Sequence, residues 1–276
     1  MTRNRSNSLE RTLNSLRKQS TQPFEVIISD DSSERFHLER NQALAKKFEC
    51  KYLFGPQRGL YANRNHVAMA CAGTHVRTMD DDHEFPLDHF NIVTNWVEKY
   101  SNDVLVIGEV SPNSSAVEKP YPIPGQLHPR GFSEPPKNIE EYYGISCGGT
   151  VYPKKIFDSG YLMCESFLFG LAYLEFGSLL KSKGIKIRHI SETYLIHYFE
   201  HADLRRDEII FPSMLFAMIC HAWYYQPSKK NKTLCIIQII KIFFQRREKF
   251  IGDFLHAFSA TKVRLNYVGH LPALCG

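Results

Sequence analysis

The sequence predicts an α/β domain built on a mostly parallel sheet with helices on both faces, followed by a helical extension. Three observations carry that expectation. The first two thirds of the chain alternate helix-like and strand-like segments, the pattern of a layered α/β fold. Two of the strand-like runs end abruptly in clustered aspartates, Asp30-Asp31 and Asp80-Asp81-Asp82. From about Ala202 the texture turns helical and aromatic, so residues 1–200 read as one domain and residues 201–276 as its extension.

The elements follow in order. Asn7 to Glu10 has capping-box spacing, and Leu9, Leu13 and Leu16 recur at helical intervals behind it. Phe24 to Ser29 is a short apolar run delivering the chain to Asp30-Asp31, a buried strand entering an acidic turn. Residues 34–48 are helical in pattern, Lys51 to Phe54 a brief strand, and Gly59 to Cys71 another helix closed by Gly73. His75 to Met79 then leads into the second acidic run, Pro86 opens a helix to about Lys99, and Val104 to Val110 is a strand. Residues 111–144 are rich in proline and lack periodicity, and loops of that length are functional or disordered. Strand character resumes from Ile145 to Tyr152, a helix runs from Cys164 to Lys183, and Ile185 to His189 and Thr193 to His197 read as strands.

Composition narrows the function classes. A chain of 276 residues with 43% hydrophobic and 13% aromatic side chains buries a full core and is not a disordered polymer. The formal charge of +5 suits an anionic partner, whether a sugar nucleotide, a phospholipid surface or nucleic acid, without choosing among them. Seven scattered cysteines show neither a CxxC pair nor zinc spacing, so reduced thiols and a cytoplasmic protein are expected. The polar start MTRNRSNSLERTL does not read as a secretory signal. No apolar stretch reaches the roughly 18 to 20 residues of a membrane span.

The aspartates carry the chemistry. Ligands of α/β sheets bind beyond the carboxyl ends of the strands. Three consecutive carboxylates at such an end repel one another unless solvent or a cation compensates. A divalent cation held by one or two carboxylates and a nucleotide's oxygens meets that need. The alternative is a solvated acidic turn capping the helix at Pro86, and the second acidic strand end weighs against it.

From about Thr2 to His197 the chain resembles the family 2 glycosyltransferases. The matching pieces are Glu10-Arg11-Thr12-Leu13-Asn14-Ser15-Leu16, FEVIISDDSS, Gly59 with Ala62-Asn63-Arg64-Asn65, and the Asp-x-Asp at Asp80 to Asp82. Gly148-Gly149 before a strand, LEFGSLLKSKGIKI and His197 complete the order. The resemblance implies a GT-A fold, a nucleotide-sugar donor, a manganese or magnesium ion, and no nucleic-acid partner. It places Thr2 and Asn4 beside the nucleotide, Asp31 on the base edge and Arg64 near the donor. It sets Asp80 at the ribose or metal, Asp82 on the metal, and His197 at the metal or diphosphate from the far side.

Two departures accompany the resemblance. The family's inverting members carry a Glu-Asp pair, the aspartate acting as base, where this chain has Ala172-Tyr173. Glu175 matches a later acidic position and Glu165 lies just before it, so Glu175 is the candidate base and a structural role its alternative. Family members also begin with a hydrophobic strand before the Thr2-Arg3-Asn4-Arg5 segment, and here the expectation is an upstream start or a truncated gene.

The expected function is therefore metal-dependent, inverting transfer of a sugar to a glycan or lipid-linked acceptor in polysaccharide or cell-envelope biosynthesis. The rival is a catalytically degenerate nucleotide-sugar-binding relative. A sugar nucleotidyltransferase ranks lower, because no glycine-rich basic phosphate loop lies near the N-terminus. The basic, apolar segment 229–250 either touches the inner face of the cytoplasmic membrane or packs back on the domain.

Overall fold

The structure is a computed structural model and describes residues 1–113, 121–198 and 206–274. The expected domain boundary between residues 200 and 201 lies outside the described residues.

Helix α1 (Ser6–Arg17) buries Leu9, Leu13 and Leu16 on one face, as their spacing requires. Its N-cap is Arg5, with no side-chain cap, so Asn7 lies inside the first turn. Strands β1 (Ile27–Asp30) and β2 (Lys51–Phe54) pair in parallel, with α2 (Arg35–Lys47) between them in the chain. After α3 (Leu60–Ala70) come β3 (His75–Arg77) and β4 (His83–Glu84). Helix α4 (His89–Lys99) starts three residues past Pro86, because Asp88 sits left-handed at φ 59°. Strand β5 (Val104–Val110) follows, then a small hairpin of β6 (Gln126–His128) and β7 (Phe132–Glu134). Strand β8 (Thr150–Pro153), α5 (Lys154–Asp158), α6 (Ala172–Ser182) and β9 (Ile187–His197) complete the domain.

The main sheet has the order β3-β8-β5-β9-β4. Strands β3, β5 and β9 share one direction, with β5 and β9 the only adjacent parallel pair among the described residues, while β8 opposes β3 and β5 and β4 opposes β9, so the sheet is mixed. The reason lies in the connection from β5 to β8, which carries a hairpin where a parallel return uses a crossover helix. The two expected strands after Gly184 are one continuous strand, β9, whose register with β5 shifts between Ile107 and Gly108. Helix α6 is shorter than the expected Cys164 to Lys183, since Gly170 at φ 120° breaks the helical path just before it.

Alternation along β5 divides the core. Val104 and Val106 point into a cluster with α3, α5, α6, α7 (Arg206–Cys220) and the C-terminal helices. Leu105 and Ile107 point into a second cluster with α1, α2 and α4. Helices thus cover both faces of the sheet, as expected. The pair β1-β2 is a separate sheet, joined to the N-terminal segment by a parallel bridge from Thr2 to Asp30. Between β1 and β3 lies an apolar cavity of about 500 Å³, lined among others by Leu13, Ile28, Val76, Phe85 and Val93.

The extension consists of α7, a π-helical turn (His221–Tyr225), α8 (Lys229–Arg246) and α9 (Glu248–Gly269). A buried network ties it to α6. Arg264 of α9 donates to both oxygens of Glu175, from Nε at 2.9 Å and Nη2 at 3.0 Å, and the Tyr225 hydroxyl donates to the same carboxylate at 2.8 Å.

A candidate metal centre at the carboxyl edge of the sheets

Strands β1, β3, β5 and β9 all deliver polar residues to one edge. Asp30 ends β1 and Asp31 follows it, the run Asp80-Asp81-Asp82 follows β3, Glu109 lies one residue from the end of β5 and His197 closes β9. Pairing of β4 with β9 sets His83 directly opposite His197.

The three aspartates of the run have different surroundings. Asp80 is gripped by Arg64, whose Nη2 lies 2.9 Å from each carboxylate oxygen. That guanidinium is buried and also donates to the carbonyls of Thr78 (2.7 Å) and Cys147. Asp81 turns inward, its side chain wholly buried against Arg5. Burial pushes its carboxyl up to about 6, against the lowering pull of the Arg5 charge. Asp82 accepts from Arg5 Nη1 at 2.9 Å through Oδ2 and turns Oδ1 towards two imidazoles. His83 Nδ1 lies 3.2 Å from that oxygen and His197 Nε2 lies 3.5 Å from it.

Behind the imidazoles sits Glu109, a residue that sequence reasoning passed over. His197 Nδ1 meets its Oε2 at 2.8 Å, and Oε1 accepts from the Gly148 amide at 3.2 Å. The two imidazole rings stack at 4.3 Å. Burial pushes the Asp82 and Glu109 carboxyls up, but the hydrogen bond from His197 and the imidazole charges outweigh it and hold both below the ordinary range. Burial lowers His197 while the two carboxylates raise it, leaving it at about 9.

These surroundings fit a cation. Asp82, His83 and His197 each offer one ligand atom, all within 4.8 Å of one another. Asp82 and His83 are buried, the Asp82 carboxylate faces both rings, and Glu109 Oε1 lies 3.7 Å from His83 Nε2. A carboxylate facing two imidazoles is a donor set that suits a divalent transition ion. One carboxylate and two imidazoles could serve as ligands, with Glu109 orienting His197 from behind as an outer support. Gly148 makes the approach feasible, since a Cβ there would lie 2.4 Å from His83 Nε2.

The nucleotide-side candidates line the neighbouring wall. Thr2 extends β1 through its amide to Ser29 O at 3.1 Å and its carbonyl to the Asp31 amide at 2.9 Å. Asn4, left-handed at φ 54°, accepts from the Ser33 amide at 3.0 Å and donates to Glu34 at 3.1 Å. Asp30 is internal, taking bonds from Ser32, Asn41 and Tyr52. Asp31 Oδ1 accepts from the Gln57 amide at 2.8 Å, and a Cβ at Gly55 would lie 2.1 Å from that oxygen.

The edge brings together Asp82 and His197 with two residues not singled out from sequence, His83 and Glu109. His83 directly follows the acidic run, and Glu109 is the one charged residue in VLVIGEV. Arg64 stands behind Asp80 as its counter-ion, and Asp80 lies outside the three-residue cluster. Glu175 is fully buried, and its carboxylate is bonded to Arg264 and Tyr225.

Known proteins share this architecture. The chain is similar to TarS of S. aureus, with a TM-score of 0.60 and 17% identity over 88% of this chain. It spans 42% of that TarS chain. GalNAc-T7, solved with UDP, GalNAc and Mn²⁺, matches over 95% of this chain and 52% of its own at a TM-score of 0.71 and 13% identity. The mannosyltransferase PcManGT from Pyrobaculum calidifontis, solved with GDP-Man and Mn²⁺, matches over 99% and 75% at a TM-score of 0.59 and 12% identity. At these identities the likeness is one of fold. No curated protein matches the sequence significantly. Residues 1–160, more than half of the chain, match the sequence profile of Glycosyl transferase family 2, and the chain belongs to that family.

Proposed function

We propose that the chain transfers a sugar from a nucleotide-diphosphate sugar to a hydroxyl of a glycan or lipid-linked acceptor, with a divalent cation held by Asp82, His83 and His197. The observation that carries this reading is the cluster of Asp82, His83 and His197, whose ligand atoms lie within 4.8 Å of one another at the carboxyl edge of a family 2 domain. Two imidazoles favour a transition ion such as manganese over magnesium. When bound, the ion supplies charge neutralisation for the departing diphosphate.

The chain's own residues then divide the work. Asp31, fixed by the Gln57 amide, presents its second oxygen to a donor N–H of the base edge. Thr2 and Asn4 form the wall beside it. Arg64 holds Asp80 in place for the ribose or the ion, and Arg5 holds Asp82 by its far oxygen. Glu109 fixes the ring of His197, so that Nε2 faces the ligand side.

Proton removal from the acceptor is the weak point. Burial pushes the Tyr173 phenol far above its ordinary range, so it is no base at neutral pH. With Glu175 locked to Arg264, a candidate carboxylate in the loop before α6 is Glu165, held by Asn65 at 2.9 Å and Arg58 at 3.1 Å and partly exposed. These facts favour a second reading, a relative that binds nucleotide sugar with little turnover.

Binding of UDP and GDP with manganese, followed by donor hydrolysis and transfer, separates the two. Transfer lost in Asp82→Ala and reduced in Glu165→Gln supports the enzyme. Metal-dependent binding without turnover supports the binding relative, and absence of metal-dependent binding refutes both.

A further inference from the structure

Helices α8 and α9 present an apolar surface that the fold does not use. Cys235 and Ile242 anchor α8 and are completely buried. On its other side Ile236, Ile237, Ile240, Phe243 and Phe244 remain 44% to 70% exposed. Their spacing of i, i+1, i+4, i+7 and i+8 puts them in one stripe. The stripe continues across the tight turn at Arg247. Phe243 meets Phe250 edge-on at 5.3 Å, and Phe250 and Phe254, themselves partly buried against the core, stack on to the exposed Phe258. Ile251 and Leu255 extend it along α9 at 62% and 60% exposure. A helix packed on one side normally turns polar residues outward. Among the described residues nothing covers this second apolar side, and a contiguous patch of that kind marks an interaction surface.

The charges select the partner. Helix α8 carries four lysines and one arginine and no acidic residue. Arg247 and Lys249 flank the turn, and Lys262 Nζ sits 4.6 Å above the Phe258 ring. Of the acidic residues close by, Asp253 is neutralised by Arg246 at 3.0 Å, and Glu248 stands alone among these cations. Large aliphatic and aromatic side chains rimmed by lysine and arginine match the headgroup boundary of an anionic bilayer. No described helix is long and apolar enough to cross a membrane, so the contact is peripheral.

We propose that the α8–α9 face docks on an anionic lipid surface, with the phenylalanine and isoleucine stripe among the acyl chains and the cations at the headgroups. This goes beyond the donor-site reading and does not depend on it. The test is co-sedimentation of the full chain with phosphatidylcholine vesicles made with and without phosphatidylglycerol. Two variants accompany it, Ile240→Ser with Phe244→Ser, and Lys229→Glu with Lys230→Glu, all at exposed positions. The expected result is pelleting with anionic vesicles only, weakened by salt, with partitioning reduced by about tenfold or more in each variant. Circular dichroism and manganese-dependent nucleotide binding stay as in the parent chain, so a failed donor site and a failed docking face give different results. Equal pelleting of parent and variants, or none with either vesicle, overturns the proposal. So does light scattering that finds a dimer dispersed by Ile240→Ser with Phe244→Ser, which assigns the face to a second copy of the chain.

Discussion

Replacing Glu175 by glutamine separates a structural carboxylate from a catalytic one. The side chain is 0% exposed and Arg264 is 3% exposed, so both charges are out of water. Arg264 spends Nε and Nη2 on the carboxylate and Nη1 on the Leu162 carbonyl at 2.7 Å. Glutamine is isosteric, yet it removes the negative charge that pairs with that guanidinium. Leaving one member of a buried pair uncompensated costs about 3–5 kcal/mol. With a urea dependence of about 1–3 kcal/mol per molar, rising with chain size, the unfolding midpoint falls by about 1–2 M. The companion variant Glu175→Met with Arg264→Leu removes both charges and recovers most of the loss, since replacing a whole buried pair by apolar groups is often neutral. Urea unfolding by circular dichroism reads the stabilities, and donor hydrolysis per folded molecule reads the chemistry. A Glu175→Gln chain with unchanged stability and turnover reduced by a hundredfold refutes the structural assignment.

Other consequences follow from the same geometry. Gly148→Ala drives a methyl group into His83, and manganese affinity is expected to fall by about 10–100-fold with the fold retained, as measured by calorimetry. Arg64→Leu strands Asp80 and the Cys147 and Thr78 carbonyls, lowering stability by about 3 kcal/mol or more in the same urea assay. Asp81, pushed up to about 6 by burial, binds its proton more tightly folded than unfolded. Its contribution favours the fold below about pH 4 and is lost as pH rises to 6, by up to about 3 kcal/mol, so Asp81→Asn flattens stability across that window.

Much of this arrangement was legible in the sequence, for identifiable reasons. The strand ends at Asp30 and Asp80 stood out because an apolar run meeting clustered carboxylates has few physical outcomes. Strands Lys51–Phe54 and Val104–Val110 have the expected bounds, since short, largely apolar runs between polar segments leave little choice of edge. Strand direction was not legible, because it depends on whether the β5-to-β8 connection crosses over or doubles back. The residues missed at the site were those supplied by pairing across distance. Glu109 gains meaning only when β9 lies beside β5 and brings His197 within 2.8 Å. Glu175 illustrates the converse. Its position in a motif pointed to chemistry, while the bond it makes to Arg264, 89 residues away, could not be read from that motif.

Manganese-dependent nucleotide binding tests the central claim most directly. Calorimetric titration of UDP and GDP into the chain, with manganese, with chelator, and in Asp82→Ala, makes the measurement. The account predicts binding of at least one nucleotide that requires the ion and disappears in Asp82→Ala. Binding of equal strength with chelator or in Asp82→Ala, or no binding of either nucleotide, contradicts it.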